Sequence, residues 1–420
     1  MKLLVVGSGG REHAVIRKLK ENKEIKKIYC APGNGGISAD AECVDIKATD
    51  KENMVKFAKE NAIDFCVVTP DDPLALGMVD VMEEAGIPCF GPKANAAIIE
   101  ASKAFSKDLM KKYGIPTADY ETFDNEKDAL HYIEEKDTFP VVIKADGLAL
   151  GKGVLICETL DDAKTALREM MVEHVFGLSG NKVVVEEFMT GKEVSVLAFT
   201  DGNVVKPMIS SMDHKRAYDN DEGLNTGGMG TIAPSPYYTK EIAETCMETI
   251  FLPTVKAMNA EGRTFKGCLY FGLMLTPKGP RVVEYNCRFG DPETQVVLPL
   301  LNSDLLTIMK ACHDGTLKDV DVVWSEEACA CVVEASGGYP VKYEKGFEIH
   351  GLDENGQHDG VIVYHAGTKK ENGKFYTNGG RVLGITAKGA TLQDALDKAY
   401  EAVKEIGFDK MHYRTDIGKK

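Results

Sequence analysis

The amino-acid sequence predicts a multidomain chain of α/β and α+β class: an open parallel α/β domain first, a central domain built on antiparallel strands, and a small mixed β domain last. Three observations predict it. Over residues 1–101, short apolar runs alternate with stretches of helical spacing, the pattern of a parallel βαβ sheet. Over residues 102–325, strand-like runs come in pairs around Gly, Asn and Asp turns, the pattern of antiparallel hairpins. Over residues 326–420, three strand-like runs precede a closing helix. The length of 420 residues agrees, being enough for roughly three domains with real cores.

The elements follow in order. Residues 3–6 form a strand that ends in glycines, and 11–20 a helix with Ala14, Ile16 and Leu19 at helical spacing. A strand over 28–31 ends at Pro32-Gly33-Asn34-Gly35-Gly36. Helices are expected over 54–59 and 74–85, and strands over 65–69 and 87–90. Right-handed crossovers then put the functional loops at the strand C-termini. Residues 94–113 read as one long helix. After Gly114-Ile115-Pro116, strands over 141–145 and 154–157 flank a glycine-rich turn, and 183–188 with 194–199 read as a hairpin around Thr190-Gly191-Lys192. A strand over 204–209 follows the Asp201-Gly202-Asn203 turn, and 269–275 with 281–285 form another hairpin. The last region holds strands over 328–334, 361–365 and 381–386 and a helix over 392–406.

Composition narrows the function classes. The net charge of −15, with no basic run, argues against a nucleic-acid partner. Small substrates drawn in by local basic clusters are expected instead. The apolar run Leu3-Leu4-Val5-Val6 is too short for a signal-peptide core, and no stretch is long enough to span a bilayer. The eleven cysteines form no regular framework, and the Cys329/Cys331 pair lacks a second pair to complete a zinc site. A reducing cytoplasm without disulfides is the expected setting.

Five motifs carry chemistry. Gly7-Ser8-Gly9-Gly10-Arg11-Glu12 follows the first strand, but Glu12 stands where a dinucleotide fingerprint needs its third glycine, and the second strand ends without the ribose-gripping acid. A nicotinamide cofactor is therefore rejected; a glycine turn feeding a helix, with Arg11 beside it, suits a phosphate-bearing substrate. Lys144-Ala145-Asp146-Gly147-Leu148-Ala149-Leu150-Gly151-Lys152-Gly153 fails the Walker A spacing and leads to a strand, so it reads as a flexible lid that neutralises phosphates. Glu186-Glu187-Phe188 and Glu193 combine carboxylates with apolar surface, as a nucleoside needs, although alone they read as a charged hairpin. In Glu284-Tyr285-Asn286-Cys287-Arg288-Phe289-Gly290-Asp291-Pro292-Glu293, strand alternation points Glu284 and Asn286 the same way, offering magnesium two oxygens, while Arg288 is placed to grip a transferring phosphoryl group. Finally, Asp213-His214-Lys215-Arg216 and Asn225-Thr226-Gly227-Gly228-Met229-Gly230 frame a long irregular loop, a feature that is usually functional.

Together these runs resemble the ATP-grasp superfamily and, within it, the glycinamide ribonucleotide synthetase (phosphoribosylamine–glycine ligase) family of purine biosynthesis. The resemblance extends nearly end to end, from Gly7–Ala14 to Thr377-Asn378-Gly379-Gly380-Arg381-Val382. It implies an ATP-grasp domain over 102–325 with a lid over about 117–192, and ATP-dependent joining of glycine to 5-phosphoribosylamine through a glycyl phosphate. It implies Lys103, Lys144, Gly147, Gly151, Lys152, Gly153, Glu186, Phe188 and Glu193 at ATP, and Glu284 and Asn286 on Mg2+ or Mn2+. Arg288, Lys144 and Asp213 become the catalytic residues. Gly9, Gly10, Arg11, Asp71, Lys215, Asp291 and Arg381 line the substrates. A monomer in the cytoplasm, without fused later-pathway domains, is expected. Two positions depart from the pattern: Asp71 stands where the family often has Glu, and Gly272 where many relatives carry another acid, which leaves the metal count open. A carboxylase of the same superfamily and a nucleotide-binding regulator without turnover are the alternatives.

Overall fold

Leu3-Leu4-Val5-Val6 and Phe65-Cys66-Val67-Val68 are buried on both faces, which is why their sequence is continuously apolar rather than alternating. The structure, a computed structural model, describes residues 1–149 and 152–419. In the first sheet all neighbours are parallel, in the order Glu42–Cys43, Lys27–Pro32, Lys2–Gly7, Phe65–Val68, Cys89–Phe90. The strand order reverses beside Lys2–Gly7, so the loops after Gly7 and Val68 flank a topological switch point, where open α/β sheets bind ligands.

Two expected helices are interrupted. The 74–85 helix is instead Asp71–Ala75 and Met78–Glu84, parted at Gly77, whose φ of +87° only glycine adopts freely. The 94–113 helix is Ala94–Ala101 and Lys103–Tyr113. Ser102 is extended between them and caps the second helix, its Oγ accepting the Phe105 N–H at 3.1 Å.

The central region contains two four-stranded antiparallel sheets. One runs Tyr120–Phe123, Val183–Glu187, Val141–Ala145, Val154–Cys157, and the other Val205–Pro207, Lys192–Thr200, Gly267–Thr276, Gly279–Asn286. The expected hairpin of 183–188 with 194–199 therefore does not form. Lys192–Thr200 pairs along its whole length with Gly267–Thr276, so the chain changes sheets between Glu187 and Lys192. Gly191 sits at that change, with φ +155° and no room for a Cβ beside the Leu275 carbonyl. The hairpins through Asp201-Gly202-Asn203 and through Pro277-Lys278 do form.

The third sheet runs Met212–Asp213, Gly230–Ala233, Ala328–Ser336, Arg381–Gly389, Ile362–His365, with Leu392–Glu405 packed on it. Its first two strands come from the middle of the chain, across the expected boundary at 325. The third region docks on the first through buried histidines: the His365 N–H donates to His13 Nδ1 at 2.9 Å, and His13 Nε2–H to Asp40 at 2.8 Å. Among the described residues, no helix is long and apolar enough to cross a membrane.

Glu334, in Ala328–Ser336, is fully buried, and neither carboxyl oxygen has a hydrogen-bond partner among the described residues. Burial pushes its carboxyl well above the usual range, so the acid is held neutral. An unfolded glutamate ionises above about pH 4.3 while the folded one keeps its proton, so stability is lost as pH rises past that value. Glu334→Met removes the burden and is expected to raise the melting temperature by about 4 °C or more at pH 8, and by less at pH 4.5. Calorimetry at the two pH values checks this; an equal or absent gain removes the linkage.

Candidate functional site

The site is organised by the end of the strand Gly279–Asn286. Glu284 lies opposite Gly272 and Asn286 opposite Tyr270, while Val283 is an extra residue between the Glu284–Gly272 and Val282–Leu273 pairs. This bulge turns the Val283 carbonyl toward Lys144, whose Nζ donates to it at 3.2 Å. A Cβ at position 272 would lie 3.1 Å from Glu284 Cγ, so glycine there leaves Glu284 its space. Burial alone would raise the Glu284 carboxyl; the charges of Lys215, Lys144, Lys103 and Arg288 outweigh it and hold the group below the usual range. Glu284 is thus an ionised carboxylate in a cationic setting.

A small cavity lies beside it, lined by Glu193, Ser195, Asp213, Lys215, Tyr270 and Glu284 among others. Lys215 Nζ stands 3.7 Å from Glu193 and 3.8 Å from Glu284. Its ammonium is pushed well up, first by Glu193, against the opposing effect of burial. The Tyr270 hydroxyl donates to Glu293 at 3.0 Å and meets Ser195 Oγ at 2.7 Å. Asp213 is raised well above the usual range by burial and then by the nearby Glu293. The charge of Glu293 bearing on Asp213 is one that a cation between the two would offset.

Arg288 follows the strand and is held by Glu100, whose part in the site was not anticipated from sequence. One Glu100 oxygen takes Arg288 Nη2 at 3.0 Å, and the other accepts the Cys287 N–H at 2.7 Å. Burial raises Glu100, while the Arg288 charge opposes that rise. Arg288 Nε is buried and has no partner among the described residues. Glu100 is the lone charge in the mostly apolar helix Ala94–Ala101, and that oddity was a signal to read.

The lysines form a second group. Lys144 Nζ pairs with Glu186 at 3.0 Å, and Lys107, also unanticipated, pairs with the same carboxylate at 3.7 Å. Burial pushes the Lys107 ammonium down to about 8. Lys103 Nζ donates to the Gly147 carbonyl at 2.7 Å, and Asp146 accepts from Ser102 Oγ and the Ala104 N–H, each at 3.1 Å. The helix break at Ser102 therefore anchors the base of the glycine-rich loop. That loop folds back on itself, Ala145 N–H to Gly153 O at 2.8 Å and Lys152 N–H to Ala149 O at 2.9 Å, with the Lys152 side chain exposed. Gly151 lies outside the described residues. Phe188 follows Glu186 into the crossing between the two central sheets.

The third group surrounds Asp291. Arg381 Nη1 donates to the carbonyls of Gly227 at 2.8 Å and Asp291 at 3.0 Å, and lies 3.6 Å from the Asp291 carboxylate. Gln295, unanticipated from sequence, donates to that carboxylate at 2.8 Å. Gly10 packs so closely on Gln295 that a Cβ would lie 2.6 Å from its Nε2. Gly9 and Arg11 adjoin the Asp291 carboxylate, to which the Arg11 N–H points at 3.5 Å, and Gly10 adjoins Gln295. One part of the anion reading is corrected: the Gly9 amide is not free, because Glu12 accepts its N–H at 2.6 Å. Glu12 also pairs with Arg11 Nε at 2.7 Å. Asp71, at the switch point, is close enough for its charge to act on Glu100 and Arg288.

The chain matches three family models in succession: the N domain of phosphoribosylglycinamide synthetase over residues 1–100, its ATP-grasp (A) domain over 101–294 and its C domain over 329–420. A phosphoribosylamine–glycine ligase of Caldanaerobacter subterraneus subsp. tengcongensis is 49% identical over 417 residues, 99% of either chain. Another, of Clostridium acetobutylicum, is 48% identical over 419 residues, 100% of either chain. The crystal structure of phosphoribosylamine–glycine ligase from Thermotoga maritima superposes with a TM-score of 0.88 at 33% identity, covering 100% of both chains. The biotin carboxylase domain of Hydrogenobacter thermophilus 2-oxoglutarate carboxylase, in complex with MgADP and bicarbonate, shares the fold alone: TM-score 0.75 at 18% identity, covering 98% of this chain and 91% of that one.

Proposed function

This chain belongs to the phosphoribosylglycinamide synthetase family, and from that premise we propose that it joins glycine to 5-phosphoribosylamine, giving glycinamide ribonucleotide, ADP and phosphate. The observation that carries the reading is the ionised Glu284 beside Lys215 and Arg288, next to a small cavity that Glu193, Asp213 and Lys215 also line. A carboxylate oxygen of glycine takes the γ-phosphoryl group of ATP, forming glycyl phosphate. The amine nitrogen then attacks its carbonyl carbon, the C–O bond to phosphate breaks, and the nitrogen sheds a proton as the amide forms. Phosphoryl transfer of this kind needs mainly positioning and charge neutralisation.

The roles divide along the three groups. Lys103, Lys144, Gly147, Gly151, Lys152 and Gly153 would hold the ATP phosphates. Glu186 and Phe188 would border adenine, and Glu193 the ribose. The sheet that carries the glycine loop, within 117–192, would be the lid, and the domain boundaries lie near 101 and 325. Glu284 and Asn286 would hold a divalent cation, Mg2+ or Mn2+, which when bound neutralises the phosphates. The two residues suit such an ion, since they offer one ionised and one neutral oxygen on the same strand face, and Gly272 leaves room. The ammonium of glycine would sit between Asp213 and Glu293, whose mutual repulsion a cation relieves, with Lys215 and Asp291 bordering the pocket. Arg288 would stabilise the developing acyl phosphate.

Gly9, Gly10, Arg11, Asp71 and Arg381 would receive the phosphorylated amine at the switch point of the first sheet. All these residues come from one chain, so a monomer would carry a full site. Free thiols at every cysteine suit the proposed cytoplasmic setting.

The test is phosphate release with ATP, glycine and phosphoribosylamine, each omitted in turn. Release that needs both co-substrates is the expected result; equal release without either would sink the ligase reading. Arg381→Ala is expected to raise KM for phosphoribosylamine by about a hundredfold, in the range for a lost charged anchor, with KM for ATP within about twofold. Equal losses for both would assign Arg381 to propping Gly227 and Asp291 alone.

A further inference from the structure

The loop that follows Asp213 and carries Lys215 has little structure of its own. It leaves the third sheet after Met212–Asp213 and returns at Gly230–Ala233, and between them makes one short hairpin, Arg216–Tyr218 with Glu222–Asn225. Residues 218–225 are mostly exposed. A lone two-stranded hairpin is marginal in water, so its order must come from elsewhere.

It comes from residues 412–418. Arg414 is fully buried and donates from Nη1 to the Arg216 carbonyl and to Asp221, each at 3.1 Å, while its Nε and Nη2 hold Asp416 at 2.7 and 2.8 Å. Asp416 in turn accepts the Asn220 N–H at 2.9 Å, and Asp219 accepts the Thr415 N–H at 2.8 Å. His412 Nε2 meets the Ala217 carbonyl at 2.6 Å. Ile417 is fully buried against Gly230, where a Cβ would collide with it.

The last link reaches the substrate pocket. The Gly418 N–H donates to His214 Nε2 at 3.0 Å, so that nitrogen is an acceptor and the ring proton is on Nδ1, which donates to the Gly230 carbonyl at 3.1 Å. His214 is thereby fixed as one neutral tautomer between Asp213 and Lys215, and its own N–H bonds Asp213 Oδ1 at 2.7 Å.

We propose that residues 412–418 are a strut that holds the loop bearing Lys215, and through His214 the adjoining Asp213, in binding geometry, with Arg414 and His214 as positioning residues for the amino-acid substrate. The proposal rests on the reading of Asp213 and Lys215 as the glycine side of a ligase site. The pocket is lined from four separate stretches of chain, around Glu193, Asp213, Tyr270 and Glu284, and the strut is a fifth that does not line it.

Arg414→Leu and His214→Ala, in the full-length enzyme, test it by two readouts. Amides of residues 214–230 should exchange with deuterium at least about tenfold faster, as for a segment released to local opening. KM for glycine should rise at least about tenfold, the scale of one buried hydrogen bond to a charged group, while KM for ATP stays within twofold. His214→Gln keeps an acceptor for the Gly418 N–H and should recover most of the glycine KM; it also serves if Arg414→Leu fails to fold. Unchanged exchange overturns the strut, and faster exchange with an unchanged glycine KM overturns its role in binding. A wild-type enzyme without glycine-dependent phosphate release fails the ligase reading and this positioning role with it, while the exchange still reports whether the clamp exists.

Discussion

Glu284→Ala lowers the turnover of the magnesium-dependent reaction by about a thousandfold while the protein keeps its fold. The size follows from what surrounds the residue. Glu284 is the acid on which the charges of Lys215, Lys144, Lys103 and Arg288 converge. Without it those cations remain and attract polyphosphate directly, so the expected signature is selective: kcat collapses while nucleotide affinity measured without metal holds or tightens. The stability cost is small, because the side chain is 35% exposed and leaves no closed cavity. Initial rates against magnesium concentration, nucleotide titration and a melting curve check the three parts. Wild-type turnover at low magnesium would remove Glu284 from the metal site, and a large drop in melting temperature would make it structural.

Parts of this architecture could be read in the sequence because they are local. The buried parallel strands announce themselves as unbroken apolar runs, and Glu284 and Asn286 fall on one face by simple alternation, with Arg288 just past the strand end. The errors share one cause: long-range pairing decided what local pattern left open. The strands Val183–Glu187 and Lys192–Thr200 look like hairpin partners, yet each finds a longer ladder elsewhere. The apolar spacing of 94–113 fits one helix, but the Ser102 hydroxyl binds Phe105 and Asp146 and breaks it there. Likewise Lys107 and the Tyr270–Ser195–Glu293 chain act across large sequence separations, as does the packing of Gln295 on Gly10, and none carries a motif of its own. The glycines of 225–230 were legible as a functional loop but not in their purpose. Gly227 and Gly228 let the backbone lie against Arg381 and Asp213, where any Cβ would intrude.

Arg288→Met is the second large effect, expected at about a hundredfold to a thousandfold in kcat, the range for removing one preorganised charge from a developing anion. Its stability consequence separates a catalytic from a structural arginine. The substitution strips Glu100 of its guanidinium partner at 3.0 Å and leaves only the Cys287 N–H, so the buried carboxyl, already raised, should take up a proton. Glu100→Gln tests the other half of the pair. The amide oxygen can keep the Cys287 N–H, but the guanidinium loses its anionic anchor and swings more freely, so kcat should fall by about tenfold, with substrate KM values nearly unchanged. The double variant Glu100→Gln/Arg288→Met has neither charge buried. It should melt higher than Arg288→Met alone and yet remain as inactive. Recovery of activity along with stability would mean that Arg288 serves only to neutralise Glu100. Loss that stays complete in the restabilised protein assigns its charge to the reaction, and the unpartnered Nε is then the donor left for the substrate.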